Sequence, residues 1–284
     1  MKMGPIGVFD SGMGGLTILK PIREKLPDFD VIYLGDNARA PYGAHSFDTI
    51  YRYTRECVSH LFGMGCRLVI LACNTASARS LRTLQQRDLK NSADPNRRIL
   101  GVIRPTVEAI SQYTRTGSVG IVGTKGTIRS ESYPLEIRHL DPSLKVYQQA
   151  CPMWVPIVES GEGVDNPGTL YFLRRDMESL LAQSDDIDTV LLGCTHYPLL
   201  LPLLEGMGFG GIRWLTQGDI VAKSLTEYLR RHPEMEKSLS RGGELRLLTT
   251  GNGEDFVMRG GAFQEYYPDG VQVEEVTVRQ GLTL

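Results

Sequence analysis

No block of basic residues stands out in this 284-residue chain. Its 31 Lys and Arg face 33 Asp and Glu, for a formal net charge of −2. That balance argues against nucleic acid as a partner, because phosphate binding needs clustered cations. No apolar run approaches the ~20 residues of a membrane span, so no membrane partner is expected. The first residues offer only the short run Ile6 to Phe9, stopped by Asp10, which is no signal peptide. Cysteine is scarce: Cys57, Cys66, Cys73, Cys151 and Cys194 are all there is. Their wide, irregular spacing makes no disulfide framework, and no CxxC pair offers a short-range zinc site. A cytoplasmic protein with reduced thiols is the expectation.

What the chain does have is one phrase written twice. Leu68 to Ala72 is a short apolar run that ends in Cys73-Asn74-Thr75. Thr189 to Gly193 is another, ending in Cys194-Thr195-His196. Each reads as a buried strand whose carboxyl end carries a thiol among hydrogen-bonding side chains. Strand patterns elsewhere begin at Ile6, Val31, Ile99, Ser118, Lys145, Ile212, Leu245 and Val271, with helical patterns between them. These include a helix capped by Ser46, one opening at Asn166-Pro167, one capped by Asp219, and one near Phe256 to Tyr266. Such alternation predicts an α/β fold with mainly parallel sheets. The polar stretch Asn91 to Arg98 reads as a linker, and past it the pattern restarts.

Ligands in such folds sit beyond the carboxyl ends of the strands. The polar clusters fall there: Asp10-Ser11, Asp36 to Gly43, Cys73-Asn74-Thr75, Thr124 and Cys194-Thr195-His196. The turn Asp10 to Gly15 is glycine-rich but lacks the GxGxxG spacing, and Met13 stands where a P-loop needs Lys. Taken alone, Asp10 could be a helix cap and His196 a structural histidine. Cys57 falls on the apolar stripe of a helix and Cys66 opens a strand, so both read as core, and Cys151 as packing. A single-thiol nucleophile with His196 as base would leave the second strand end without a role. Two thiols facing one carbon suit a different reaction, in which one removes a proton from one face and the other delivers one to the opposite face.

The motifs carry a specific likeness. Phe9 to Gly15, Gly35 to Arg39 with Pro41-Tyr42-Gly43, Ala72 to Ser77, Gly123-Thr124 with Thr127, Ala150-Cys151-Pro152 with Glu159, and Leu192 to Leu200 occur in order. In these the chain resembles the bacterial glutamate racemases of the cofactor-independent aspartate/glutamate racemase superfamily. The resemblance implies interconversion of L- and D-glutamate for peptidoglycan synthesis, without pyridoxal phosphate or metal. It implies Cys73 and Cys194 as the acid/base pair, Asp10 assisting the first and His196 the second, with Glu159 as a further polar residue. Ser11, Tyr42, Gly43, Asn74, Thr75, Thr124 and Thr195, together with Asp10 and His196, match residues that hold the substrate's amino and carboxylate groups. The resemblance implies two similar α/β domains with the site in the cleft between them, residues 1–97 with 208–284 forming the first and 98–207 the second, which agrees with the linker near Arg98 and the glycines near Gly208. A homo-oligomer, a dimer, is expected. An aspartate racemase is the alternative within the same chemistry, and a non-catalytic amino-acid-binding protein the alternative outside it.

Overall fold

The structure is a computed structural model, and it describes residues 3–161, 166–259, 263–267 and 270–279. Strands buried on both faces are apolar along most of their length, as at Ile6–Asp10, Val31–Gly35, Leu68–Leu71, Ser118–Gly123 and Thr189–Leu192, whereas Lys145–Ala150 and Val273–Glu275, at sheet edges, are mostly polar and less buried. β1 (Ile6–Asp10), β2 (Val31–Gly35), β3 (Leu68–Leu71) and β4 (Arg98–Gly101) pair in parallel. β9 (Leu245–Thr249) and β10 (Val273–Glu275) complete a six-stranded sheet in the order β10-β9-β2-β1-β3-β4. A second parallel sheet holds β5 (Ser118–Gly123), β6 (Lys145–Ala150), β7 (Thr189–Leu192) and β8 (Arg213–Leu215), in the order β6-β5-β7-β8.

The chain leaves β1 to one side for β2 and returns on the other for β3. β5, between β6 and β7, repeats this. Each sheet therefore has a switch point, the place where open α/β sheets receive ligands. Cys73 follows β3 and Cys194 follows β7, each on a strand next to a switch point.

Helices cover the faces. They are α1 (Leu16–Lys25), α2 (Phe47–Gly63), α3 (Asn74–Thr83), α4 (Ile103–Ile110), α5 (Lys125–Ile128), α6 (Ser132–Leu140), α7 (Trp154–Ser160), α8 (Pro167–Leu181), α9 (Leu201–Gly206) and α10 (Gly218–Arg231). The short α11 (Pro233–Glu236) and α12 (Gly253–Arg259) follow. Ser46 caps α2 as expected, its hydroxyl accepting from the Thr49 N–H at 3.3 Å. Pro21 lies inside α1.

Several expectations shift. Arg98–Gly101 pairs with β3 rather than opening the second sheet, and Arg213–Leu215 pairs with β7 rather than rejoining the first. The sheet changes after Gly101 and after Leu215, so the boundaries at 97/98 and 207/208 each fall one strand early. Asp94-Pro95-Asn96 is a surface turn before β4, with the Asn96 N–H on Asp94 Oδ1. Polar composition alone does not separate such a turn from a linker, and the true crossing, at Val102 and Ile103, is apolar and buried. α3 begins at Asn74, directly after the strand end, because the Cys73 sulfur itself caps it, accepting from the Ala76 N–H at 3.5 Å. Gln217, not Asp219, stands before α10. The last strand is limited to Val273–Glu275. The helix expected over Phe256 to Tyr266 is α12 in part, and its residues 260–262 lie outside the described ones.

Candidate active site

Ser11 and Cys73 from the first sheet meet Thr124 and Cys194 from the second in one cavity. Gly43, Asn74, Thr75, Glu159, Thr195 and His196 complete its polar wall. Of the residues expected at the site, all but Asp10 and Tyr42 line it. The enclosed space is about 20 Å³, room for about one water.

On the first side, the Cys73 thiol donates to Ser11 Oγ at 3.3 Å. Burial pushes this thiol up to about 12, and the neighbouring Asp10 charge pushes the same way. The hydrogen bonds with Ser11 and with the Ala76 N–H oppose them. Asp10 itself is fully buried. Its Oδ2 accepts the Gly12 N–H at 3.0 Å and its Oδ1 the Thr195 hydroxyl at 3.4 Å. Burial raises its carboxyl, while the charge of His196 and the Gly12 and Gly15 N–H groups hold it back.

On the second side, Glu159 comes from the last turn of α7. Its Oε1 lies 3.0 Å from His196 Nε2. Burial works against an imidazolium at His196. The hydrogen bonds to Cys194 and Glu159 outweigh it and raise the ring above the ordinary histidine value. Phe263 stands edge-on to the imidazole at 5.5 Å. The two thiols are near enough for the charge of Cys194 to raise Cys73.

The sheets touch at this site through close fits. A Cβ on Gly14 would lie 2.3 Å from Thr195 Oγ1 and 2.5 Å from His196 Nδ1. The glycine turn after β1 therefore makes room for the opposite loop, a need that anion binding does not explain. A Cβ on Gly43 would lie 2.8 Å from the Thr124 Cβ. The Thr17 hydroxyl donates to the Thr195 carbonyl at 3.0 Å, and the Thr75 and Thr124 hydroxyls are 2.9 Å apart.

Tyr42 is buried, and its hydroxyl is committed to Asp36. Asp36 also takes Arg39 Nε at 2.7 Å and the Thr250 hydroxyl at 2.7 Å. Arg39 reaches on to Glu56 and to the Cys57 sulfur. This cluster shapes the loop that delivers Gly43. Tyr133 and Gln217, which bond to Asn74, were not singled out from the sequence. They lie far from Asn74 along the chain, in segments without a motif. Cys57, Cys66 and Cys151 are buried away from the cavity lining, as expected. Among the described residues no group of three or more His, Cys, Asp or Glu is placed to hold a metal ion. No described helix is long and apolar enough to cross a membrane.

Comparison with known proteins adds to this geometry. The sequence profile of the family described as Asp/Glu/Hydantoin racemase matches residues 17–214. The glutamate racemase of Geobacter metallireducens is 40% identical over 230 residues, 81% of this chain and 82% of that protein. The structure superposes on glutamate racemase isoform RacE1 from Bacillus anthracis with a TM-score of 0.84 at 30% identity, covering 98% of this chain and 99% of the other. It superposes on the glutamate racemase of Francisella tularensis, solved in complex with D-glutamate, with a TM-score of 0.83 at 29% identity and the same coverage.

Proposed function

The chain belongs to the Asp/Glu/hydantoin racemase family, and from that premise we infer that Cys73 and Cys194 are the two bases of its reaction. That reaction is the interconversion of L- and D-glutamate. One observation carries the reading: two thiols, one from each sheet, line a single cavity. A thiolate on one side takes the α-proton, and the thiol on the other gives its own proton to the opposite face of the carbanion. One thiol and one thiolate remain, exchanged, so the cycle balances without a cofactor.

A free thiol near 8.5 is only a few per cent thiolate at neutral pH. Each positioned base contributes roughly 10²–10⁴ in rate. So weak a carbon acid also needs donors around the developing charge. The hydroxyls of Ser11, Thr75, Thr124 and Thr195 and the first-turn N–H groups of α3 serve there. Asp10 holds the Thr195 hydroxyl and the Gly12 turn, and Glu159 holds the His196 ring. Tyr42 contributes by placing Gly43. A volume of about 20 Å³ is far below what glutamate needs, so the two halves part to admit it. Residues 1–101 with 216–284 act as one domain in that motion and 102–215 as the other. The enzyme works in the cytoplasm as a homodimer and supplies D-glutamate for peptidoglycan.

The test uses deuterated water. L- and D-glutamate have equal free energies in achiral solvent, so kcat/KM is equal in both directions for any variant, and steady-state rates assign neither thiol. Cys73→Ala keeps the Cys194 base and should exchange the α-proton of L-glutamate without inversion while leaving D-glutamate almost untouched. Cys194→Ala should show the reverse. Similar exchange of both enantiomers by either variant refutes the two-thiol assignment.

A further inference from the structure

Asn74 lines the cavity, and its side chain is the hub of a buried hydrogen-bond ring drawn from both halves of the protein. Its Nδ2 donates to Gln217 Oε1 at 2.7 Å. Gln217 Nε2 donates to the Tyr133 hydroxyl at 2.9 Å, and that hydroxyl donates to Asn74 Oδ1 at 2.6 Å. Gln217 Nε2 also donates to Thr106 Oγ1 at 2.8 Å. The four side chains come from the starts of α3 and α10, from α4 and from α6. All four are buried: Asn74 is 2% exposed, Gln217 3%, Thr106 and Tyr133 0%.

Proton counting fixes every direction in this ring, independently of how the amides are oriented in the coordinates. The Thr106 hydroxyl lies 2.7 Å from the Val102 carbonyl, which can only accept, so Thr106 donates there. Its oxygen must then accept from Gln217, and the atom facing it must be the amide nitrogen. The Gln217 oxygen is left facing Asn74, so the Asn74 atom opposite must be a donor. Tyr133 accepts from Gln217 and keeps its one proton for Asn74 Oδ1. An Asn amide has two N–H groups and one oxygen. The oxygen and one N–H are now committed, and a single N–H remains.

We propose that Gln217 and Tyr133 are positioning residues that fix the Asn74 amide so that its one uncommitted N–H is presented to a carboxylate of the substrate. The inference rests on glutamate being the ligand. Without the ring the amide is free to turn, and in half of its orientations an oxygen would face an anion. The ring also reaches the other half of the site. The Tyr133 ring packs against Gly193, where an added Cβ would lie 3.6 Å from its Cε2, beside Cys194. The donor is therefore set only when the helix after Cys73 and the strand end before Cys194 are in register.

The test is steady-state racemisation of L- and D-glutamate by the full chain and by Gln217→Leu, Tyr133→Phe and the double variant, each checked for folding by circular dichroism and thermal melting. Loss of a well-aimed hydrogen bond to a carboxylate predicts a KM raised roughly tenfold to a hundredfold in both directions, with kcat changed much less. Because the members act as one ring, the double variant should be no more than about twofold worse than the worse single variant. Tyr133→Phe deletes one oxygen and keeps the shape, so it carries the test if Gln217→Leu does not fold. A KM within about twofold of the parent in either folded variant overturns the proposal. So does a loss confined to kcat, or full additivity in the double variant. A parent chain that leaves glutamate unracemised overturns the underlying reading and this proposal with it.

Discussion

Replacing Gly14 by alanine tests the cross-sheet fit at the site. The added Cβ would stand 2.3 Å from Thr195 Oγ1, 2.5 Å from His196 Nδ1 and 2.7 Å from His196 Cε1. Heavy atoms in ordinary contact sit at about 3.5–4.0 Å, so the Thr195-His196 segment must retreat by about 1 Å. Neither neighbour is a free end. His196 is tied to Glu159 and flanked by Phe263, and the Thr195 carbonyl receives the Thr17 hydroxyl. Overpacking of this kind costs about 1–3 kcal/mol of stability. A catalytic group displaced by about 1 Å costs on the order of 10² in rate. Chiral chromatography of product from each enantiomer should show kcat/KM down by about that factor in both directions, with a matching stability loss in urea. Gly12→Ala is the reference in the same turn, since its Cβ would meet nothing nearer than 3.8 Å, and its stability should stay within about 0.5 kcal/mol. A Gly14→Ala protein with both quantities close to the parent would show that the loop has room the geometry denies.

Two further expectations concern charge. Asp10→Asn removes a negative neighbour that helps raise the Cys73 thiol. The pH midpoint for alkylating Cys73, followed by peptide mass spectrometry in a Cys194→Ala background, should therefore fall yet stay above the ordinary thiol range, because burial remains. An unmoved or higher midpoint contradicts the assignment. Glu159→Gln removes a partner that raises His196, after burial has worked against it, so the imidazole midpoint by NMR should fall. The same pair stabilises the fold fully below the ordinary histidine value of ~6.5 and loses that effect as pH climbs past the raised value. The stability cost of Glu159→Gln should thus be larger at pH 6 than at pH 10, and a cost independent of pH rejects the coupling.

The sequence makes the strand ends legible because a parallel strand buried on both faces writes itself as an uninterrupted apolar run. Cys73 and Cys194 each stop such a run, and both reach the cavity. Helix starts read less well. Cys73 caps α3 with its sulfur, a residue outside the usual capping set, so residue type does not mark where that helix starts. Asp94-Pro95-Asn96 reads as a linker because turns and linkers share composition, whereas the crossing between sheets at Val102 is apolar. Asp10 and Tyr42 are polar residues beside the site whose side chains are already engaged, Asp10 by Gly12 and Thr195, Tyr42 by Asp36. Residue type and position indicate that a group can donate or accept. They do not say which partner takes the bond, and Gln217, 143 positions from Asn74, shows how far that partner can lie along the chain.

The contacts that join the two halves around the cavity are also the ones that complete it. Thr17 to Thr195 and Thr75 to Thr124 are neutral hydroxyl bonds, each of net strength about 0.5–1.5 kcal/mol. Gly14 and Gly43 add close fits with no side chain to lock. The buried ring of Asn74, Gln217, Tyr133 and Thr106 crosses the same seam, so a substrate too large for a space of about 20 Å³ must loosen that ring together with the hydroxyl bonds to enter. A bound dicarboxylate can meet donors from both halves at once, through Ser11 and Thr75 on one side and Thr124 and Thr195 on the other, and so favours reclosure by its differential affinity for the closed state. In this structure His196 stands against Gly14 and Asn74 is bonded to Tyr133. The contacts that hold the two halves together are therefore the ones that set the neighbours of Cys73 and Cys194, and a substitution anywhere along the seam should be read first for its effect on how the halves meet and only then for its effect on activity.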